Sequence, residues 1–416
     1  IPYGSLVQPP YAGDPPLDGT QVPTPESVIV PTCEPLPTEL AQGPTPTPFP
    51  TAVSVDQWRS GGGATAPQNV SLSPGSQRVG RLVAHNGSHA LTWRGTRSHL
   101  LVGAESGHVS YVVADVLGAD GPAAVALSPF GRLHLYAAGR YAYTDGVGGE
   151  WSAPASAPGG GDPHLVVGSD GLARLLLRDH GSLVLYAQTP VGAWDGPKSL
   201  AGGVADYDAV RAGEHVVVAA TGAQTTIHLI PGGLVAQLDG GDRVNLTYRS
   251  GQTLLGIGRP GRALIARSLD DGAEWSTCLV QDSRYTIESV GAFPTTKGPY
   301  AALWTWHQPD GPQGVFRYIA LSTVQWPTGG GCAVWPELGM VDSLAGDQAQ
   351  RIAAPGLVFS RAQQGDFRIG DDGSVLAYNG RDLSADSTDV FLVNLRPDAV
   401  FSGSSQGFGQ FGEGAP

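Results

Sequence analysis

The sequence predicts an all-β chain, an about seven-bladed β-propeller preceded by an extended proline-rich N-terminal arm. Three observations lead there: apolar strand centres that recur about every 42 residues, a composition unsuited to helices, and a concentration of proline at one end.

From about residue 66 onward, short alternating apolar runs are broken by Gly, Asp and Ser, the texture of strands separated by turns. The best strand of each unit is centred on Leu91, Leu133, Leu175 and Val217, at successive intervals of 42. Leu255, Leu303 and Leu376 continue the series at intervals of 38, 48 and 73, giving seven units. A period of about 40 to 45 residues is the spacing of propeller blades. The wide last interval is expected to hold a surface insertion near 327–350, with an eighth, degenerate blade as the alternative. Turn signals precede several of these strands, as in Pro129-Phe130-Gly131, Ser169-Asp170-Gly171 and Asp371-Asp372-Gly373. A later strand follows in most units, Val109–Val113 in the first and Val390–Val393 in the last. Four strands per unit, set radially, bury each blade against its neighbours. The propeller is expected over 56–400, followed by a glycine-rich tail at 401–416.

Helix formers are scarce: two lysines (Lys198, Lys297) and Met340 stand against 60 glycines and 34 prolines, which favours short strands and tight turns. A formal charge of −13 opposes a phosphate-binding surface, so nucleic acid is excluded as an expected partner. No apolar run approaches the roughly 18 residues a membrane helix needs, so membrane insertion is not expected. The first basic residue is Arg59; no positively charged signal sequence remains, and the chain reads as a processed, extracellular or surface-exposed product.

Residues 1–55 form the expected arm. Fourteen prolines and no Lys or Arg fall within the first 50 residues, a run that reads as extended polyproline II. One reading is a spacer. The other rests on two apolar islands, Leu6-Val7 and Val28-Ile29-Val30, which would be buried by pairing with a sheet edge on a neighbouring subunit. Cys33 lies just beyond the second island. Cys33, Cys278 and Cys332 fit no zinc spacing. They leave either one disulfide, for which Cys278 and Cys332 are the candidates, with a spare thiol, or three buried thiols.

Within the fifth unit, Ser268-Leu269-Asp270-Asp271-Gly272-Ala273-Glu274-Trp275 matches the pattern S-x-D-x-G-x-x-W, with Ser268, Asp270, Gly272 and Trp275 in the defining places. A degenerate copy runs from Thr144-Asp145-Gly146 to Trp151, and Trp194 and Trp326 hold comparable places in the third and sixth units. This resembles the Asp-box hairpin of the sialidase-like β-propeller superfamily. The resemblance implies that Asp270 and Gly272 serve the turn, away from any catalytic end, and that Trp275 packs behind it. The tryptophans are read as packing between blades, with stacking on sugars as the alternative.

The same resemblance would call for an arginine triad, a Tyr nucleophile assisted by Glu, and an Asp acid/base. Phe367-Arg368-Ile369-Gly370 approaches the family's F/Y-R-I-P segment, but it ends in Gly and lies in the last unit instead of the first. Arg317-Tyr318 and Arg284-Tyr285 with Glu288 supply residue types without a link into one pocket. No catalytic residue is assigned. The ten histidines are spread singly, and no D-x-D-x-D-G calcium loop occurs, so no metal and no cofactor are expected. The function expected is that of a non-enzymatic structural or adhesive subunit of a surface assembly, filament or virion. Its partner would be another copy or another surface protein. A sialidase-like glycoside hydrolase or glycan-binding lectin is the alternative.

Overall fold

A computed structural model describes residues 68–70, 77–104, 107–146, 148–259, 262–281, 286–294, 300–311, 314–325, 333–334, 339–344, 367–382 and 387–395. The chain divides into Ile1–Pro50 and Thr51–Pro416, and every described residue belongs to the second unit. Leu6, Val7, Val28, Ile29, Val30, Cys33, Cys332 and Trp326 lie outside the described residues, as does the tail.

The architecture is an all-β propeller. Strand β1 (Gln68–Asn69) comes first in the chain but joins the last sheet. The first sheet is β2 (Arg78–His85), β3 (Ser88–Arg94), β4 (Ser98–Ala104) and β5 (Gly107–Val112). A short helix α1 (Val113–Leu117) leads to the second sheet, β6 (Ala123–Leu127), β7 (Leu133–Ala137), β8 (Arg140–Thr144) and β9 (Ala155–Ser156). The third is β10 (Asp162–Val167), β11 (Ala173–Asp179), β12 (Ser182–Gln188) and β13 (Trp194–Ala201). The fourth is β14 (Asp206–Ala212), β15 (His215–Thr221), β16 (Gln224–Ile230) and β17 (Leu234–Asp239). The fifth is β18 (Arg243–Arg249), β19 (Gln252–Arg259), β20 (Arg262–Ser268) and β21 (Ser276–Gln281).

The sixth sheet departs from the pattern. It consists of β22 (Thr286–Phe293), β23 (Tyr300–Gly311), β24 (Gly314–Gln325), β25 (Ala333–Val334) and β26 (Gly339–Leu344), with β24 paired to both β25 and β26. The last sheet is β27 (Phe367–Ile369), β28 (Val375–Asp382), β29 (Ser387–Asn394) and the returning β1. Six sheets are therefore regular four-stranded blades, fewer than the about seven expected. The difference lies in the sixth unit, where β25 and β26 fall in the stretch read as an insertion and pair with a 12-residue strand.

Each of the seven strand centres read from the sequence sits on the second strand of its sheet. That strand is flanked on both sides, so its apolar residues are wholly enclosed: Leu91, Leu175, Val217, Leu255 and Leu376 show no exposed surface. The core is a series of interfaces between successive sheets. One joins Leu91 and Trp93 to Ala377 and Val390, and another joins Val217 to Leu246 and Leu255. First strands pack against one another from sheet to sheet and so line the axis. Strand β5 stops one residue short of the expected run. Val113 and Leu117, four apart, enter the interface between the first two sheets as one helical face, and Gly118 ends the turn at φ 66°.

The ring closes by hydrogen bonding between the two ends of the described chain. Gln68 and Asn69 pair antiparallel with Leu392 and Phe391, and the Val70 amide donates to Val390 O at 2.9 Å. Asn379 reinforces the closure from the next strand, donating to Gln77 O at 2.7 Å and accepting from the Val79 amide at 2.8 Å. A chain beginning at residue 56 should melt like the full chain. One beginning at residue 71 should lose roughly 3 kcal/mol, from the broken pairing and the exposed Val70 site, in a urea titration.

Candidate functional site

Convergence of the first strands brings charged residues from distant parts of the chain together at the axis. Arg81 on β2 is buried and donates through Nε to Pro163 O at 3.1 Å, through Nη1 to Tyr207 O at 3.2 Å, and through Nη2 to Asp162 Oδ2 at 3.4 Å. Its guanidinium lies over the Tyr207 ring, 4.7 Å from the centroid. Arg178 approaches the same Asp162 oxygen at 3.1 Å, and the Tyr207 hydroxyl donates to Asp162 O at 2.6 Å. From the adjacent last sheet, Arg368 of β27 reaches Asp206 Oδ1 at 3.4 Å and donates to Val244 O at 3.2 Å. The Val244 amide donates to Asp206 Oδ2 at 3.1 Å.

Neighbouring carboxyls in this cluster titrate in opposite directions. Burial alone would raise Asp206, but Arg368, Arg81 and Arg243 outweigh it and hold the carboxyl below its usual range. Asp208, one pleat further along β14, is pushed up by burial, which the same arginines only partly offset. It accepts instead from the Leu246 amide at 2.8 Å and lies 3.3 Å from His164 Nδ1. Burial, with Arg81 and Arg368 nearby, holds His164 well below the ordinary histidine range, and its Nδ1 makes no hydrogen bond to Asp208 despite the close approach. Burial also opposes the charge on Arg81 and Arg368, yet Asp162 and Asp206 respectively lead the attractions that keep both raised.

One end of the axis opens into a funnel of about 600 Å³. The loops joining first to second and third to fourth strands lie at this end, because antiparallel strands alternate direction. The funnel's apolar wall includes Ala84, Ala126, Val166 and Val210, and its polar rim includes His85, Asn86, Arg211, Tyr248, Asp371 and Asp372. Asp371 follows β27 in a tight turn closed by Gly373 at φ 73°, whose amide donates to Gly370 O at 2.8 Å. Added side-chain bulk at Gly373 would press on Phe293. Asp371 is partly accessible, but burial, with Asp208 and Asp372 beside it, pushes its carboxyl well above the usual range, and Arg211 offsets this only in part.

The Ser268–Trp275 hairpin joins β20 to β21. Ser268 Oγ donates to Asp270 Oδ1 at 2.6 Å and accepts from the Gly272 amide at 2.8 Å, while Asp270 Oδ1 accepts from the Glu274 amide at 2.9 Å. These turn bonds, with the Glu274 amide foremost, depress the Asp270 carboxyl, which is exposed. Gly272 has φ 98°, and a Cβ there would lie 2.7 Å from Val217. The Trp275 indole donates to Gly272 O at 2.8 Å and packs on the interface between the fourth and fifth sheets. Trp151 and Trp194 stand edge-on to Tyr111 and Tyr141 of the preceding sheets, at 5.7 and 5.5 Å. Asp271, between the motif's fixed positions, accepts from the Tyr248 hydroxyl at 3.0 Å and thereby braces the funnel wall.

Cys278 on β21 is buried and disulfide-bonded, with its partner outside the described residues. Arg317 and Tyr318 lie on β24, a third strand, and not on an axial first strand. Asn245, in one of three N-glycosylation patterns (Asn69, Asn86, Asn245), is buried and donates to Val290 O at 3.0 Å. Among the described residues no group of three His, Cys, Asp or Glu side chains could hold a metal. Sequence reasoning singled out Arg368 through its motif but missed Arg81, Asp162 and Asp206. The available signal was Asp206-Tyr207-Asp208, two acids at the start of a buried strand.

No protein-family model and no curated protein matches the chain. Among solved structures, the chain is similar to the RRP9 WD40 repeats at 13% identity, covering 79% of this chain and 100% of that one, with a TM-score of 0.46. It is also similar to a streptogramin B lyase at 11% identity, covering 80% and 97%, with a TM-score of 0.45. The Myceliophteria thermophila Cps50 (Swd1) β-propeller domain stands at 12% identity, covering 78% and 99%, with a TM-score of 0.45.

Removing one partner of the buried axial pair should be costly, because the other charge is left unmatched. Arg368→Met is expected to destabilise by about 3–5 kcal/mol, and Arg368→Met with Asp206→Leu by much less, as read from urea midpoints. Asp371 carries the opposite sign. A carboxyl raised in the folded state weakens folding as pH climbs from the unfolded value of about 3.9 toward the folded one. Asp371→Asn should therefore be more stable than the parent at pH 7, with no such gain near pH 3.

Proposed function

We propose that this chain is a non-enzymatic extracellular propeller serving as a structural or adhesive subunit of a surface assembly, filament or virion. The observation that carries the reading is a set of large apolar side chains exposed at one end of the propeller, each from a different sheet. Phe130 is 80% exposed between β6 and β7, Val191 89% between β12 and β13, Leu234 51% at the start of β17, and Leu269 60% between β20 and β21. Apolar surface collected at turn tips is the mark of an interaction face. Its partner is a neighbouring copy or another surface protein, and the arm, through Leu6-Val7 and Val28-Ile29-Val30, docks on a neighbouring subunit by strand pairing.

Two further features support this setting. The Cys278 disulfide suits an oxidising, extracellular compartment. The two axial arginines are engaged by carboxylates and carbonyls of the protein itself, so they act as ties across the axis. In the same reading the five-stranded sheet counts as a blade, making about seven, and the Asp-box hairpin relates the fold to the sialidase-like propellers. That hairpin also favours a second reading, a glycan-binding lectin or sialidase-like hydrolase, which turnover or binding on a panel of sialosides and neutral glycans would reveal.

The primary test is the assembly state of the full chain and of a version starting at Val53, by light scattering and electron microscopy. The expected result is that the full chain self-associates and the shortened one stays monomeric. Monomers in both cases would overturn the docking arm.

A further inference from the structure

We propose that the axial funnel is a binding site for one small hydroxy-carboxylate, the chemistry of a hexuronate, held with its carboxylate on Arg211. This goes beyond the assembly role and does not depend on it. The volume of about 600 Å³ falls in the range of about 300–1,000 Å³ typical of small-molecule sites. Arg211 lines the funnel at the end of β14 and forms no ion pair with any described residue. Its planar fork matches a carboxylate in bidentate fashion.

The remaining rim selects what accompanies that carboxylate. Asp372 Oδ1 accepts from the Ser374 amide at 2.9 Å and from Ser374 Oγ at 2.6 Å. Its second oxygen has no partner among the described residues and is suited to accept a ligand hydroxyl. Asn86 lies 3.1 Å from His85 through its amide nitrogen, which leaves its carbonyl oxygen as another acceptor. The Asp371 side chain lies on the same rim. The C–H face of a sugar ring would meet Ala84, Ala126, Val166 and Val210.

Other ligand classes fit less well. A cation would face Arg211 and Arg249, both on the funnel. A phosphate dianion would bring a second negative charge toward Asp372. A neutral sugar leaves Arg211 without its counter-charge, and a simple carboxylate leaves the hydroxyl acceptors empty.

The test is isothermal titration and ligand-observed NMR on the full chain, using glucuronate, glucose, acetate and inorganic phosphate. Glucuronate should saturate the protein at a 1:1 ratio, with the other three at least tenfold weaker. Arg211→Gln should weaken glucuronate at least tenfold, while Arg132→Gln, away from the funnel, should leave it unchanged; melting curves check that both variants fold. Asn86→Ala offers a second, milder probe and should weaken binding severalfold. A glucuronate-terminated oligosaccharide distinguishes a glycan end, which should bind as well as or better than the monosaccharide, from a free acid, which should bind better alone. Absence of glucuronate saturation, equal binding of glucose, acetate or phosphate, or full affinity in Arg211→Gln would overturn the proposal. Light scattering on the same samples reports self-association separately.

Discussion

Everything in this propeller depends on how the first strands share the axis. Strands from separate sheets converge there, and side chains that point inward must find partners or leave buried charge unmatched. Arg81 meets residues of the third and fourth sheets, and Arg368 of the last sheet meets Asp206 of the fourth. These bonds cross the axis instead of following the ring. They fix the relative positions of sheets whose own contacts are confined to near neighbours.

What could be read from the sequence follows from where each strand lies. Second strands are enclosed on both faces, so their apolar centres repeat, and Leu91, Leu133, Leu175 and Val217 mark them at even spacing. First strands carry Arg81, Asp162, Asp206 and Arg368, whose partners are up to 162 residues away. No local pattern encodes such a pairing, and the axial cluster stayed hidden although Arg368 had drawn notice on its motif. The irregular sixth sheet escaped for another reason: two of its strands are 12 residues long and so break the period on which the count was based. The turn at Ser268–Trp275 was legible because its bonds are local, all within that segment.

The Ser268–Trp275 hairpin also links the fold to the candidate site. Its backbone bonds hold Asp271 in a left-handed conformation at φ 55°, from which the side chain reaches the Tyr248 hydroxyl. A hairpin in one sheet thus sets the height of a tyrosine on the rim of the funnel. Structural turn chemistry and the shape of the cavity are one arrangement, even though Asp270 and Trp275 take no place on the rim.

Among the described residues, the two-residue strand β1 is the first element after the arm. Among the described residues, tension transmitted through the arm is delivered first to the Gln68–Val70 clasp on β29, the point at which the ring is fastened. The clasp acts as a mechanical fuse: a sustained pull would strip β1 from β29 before it reached Arg81 on β2.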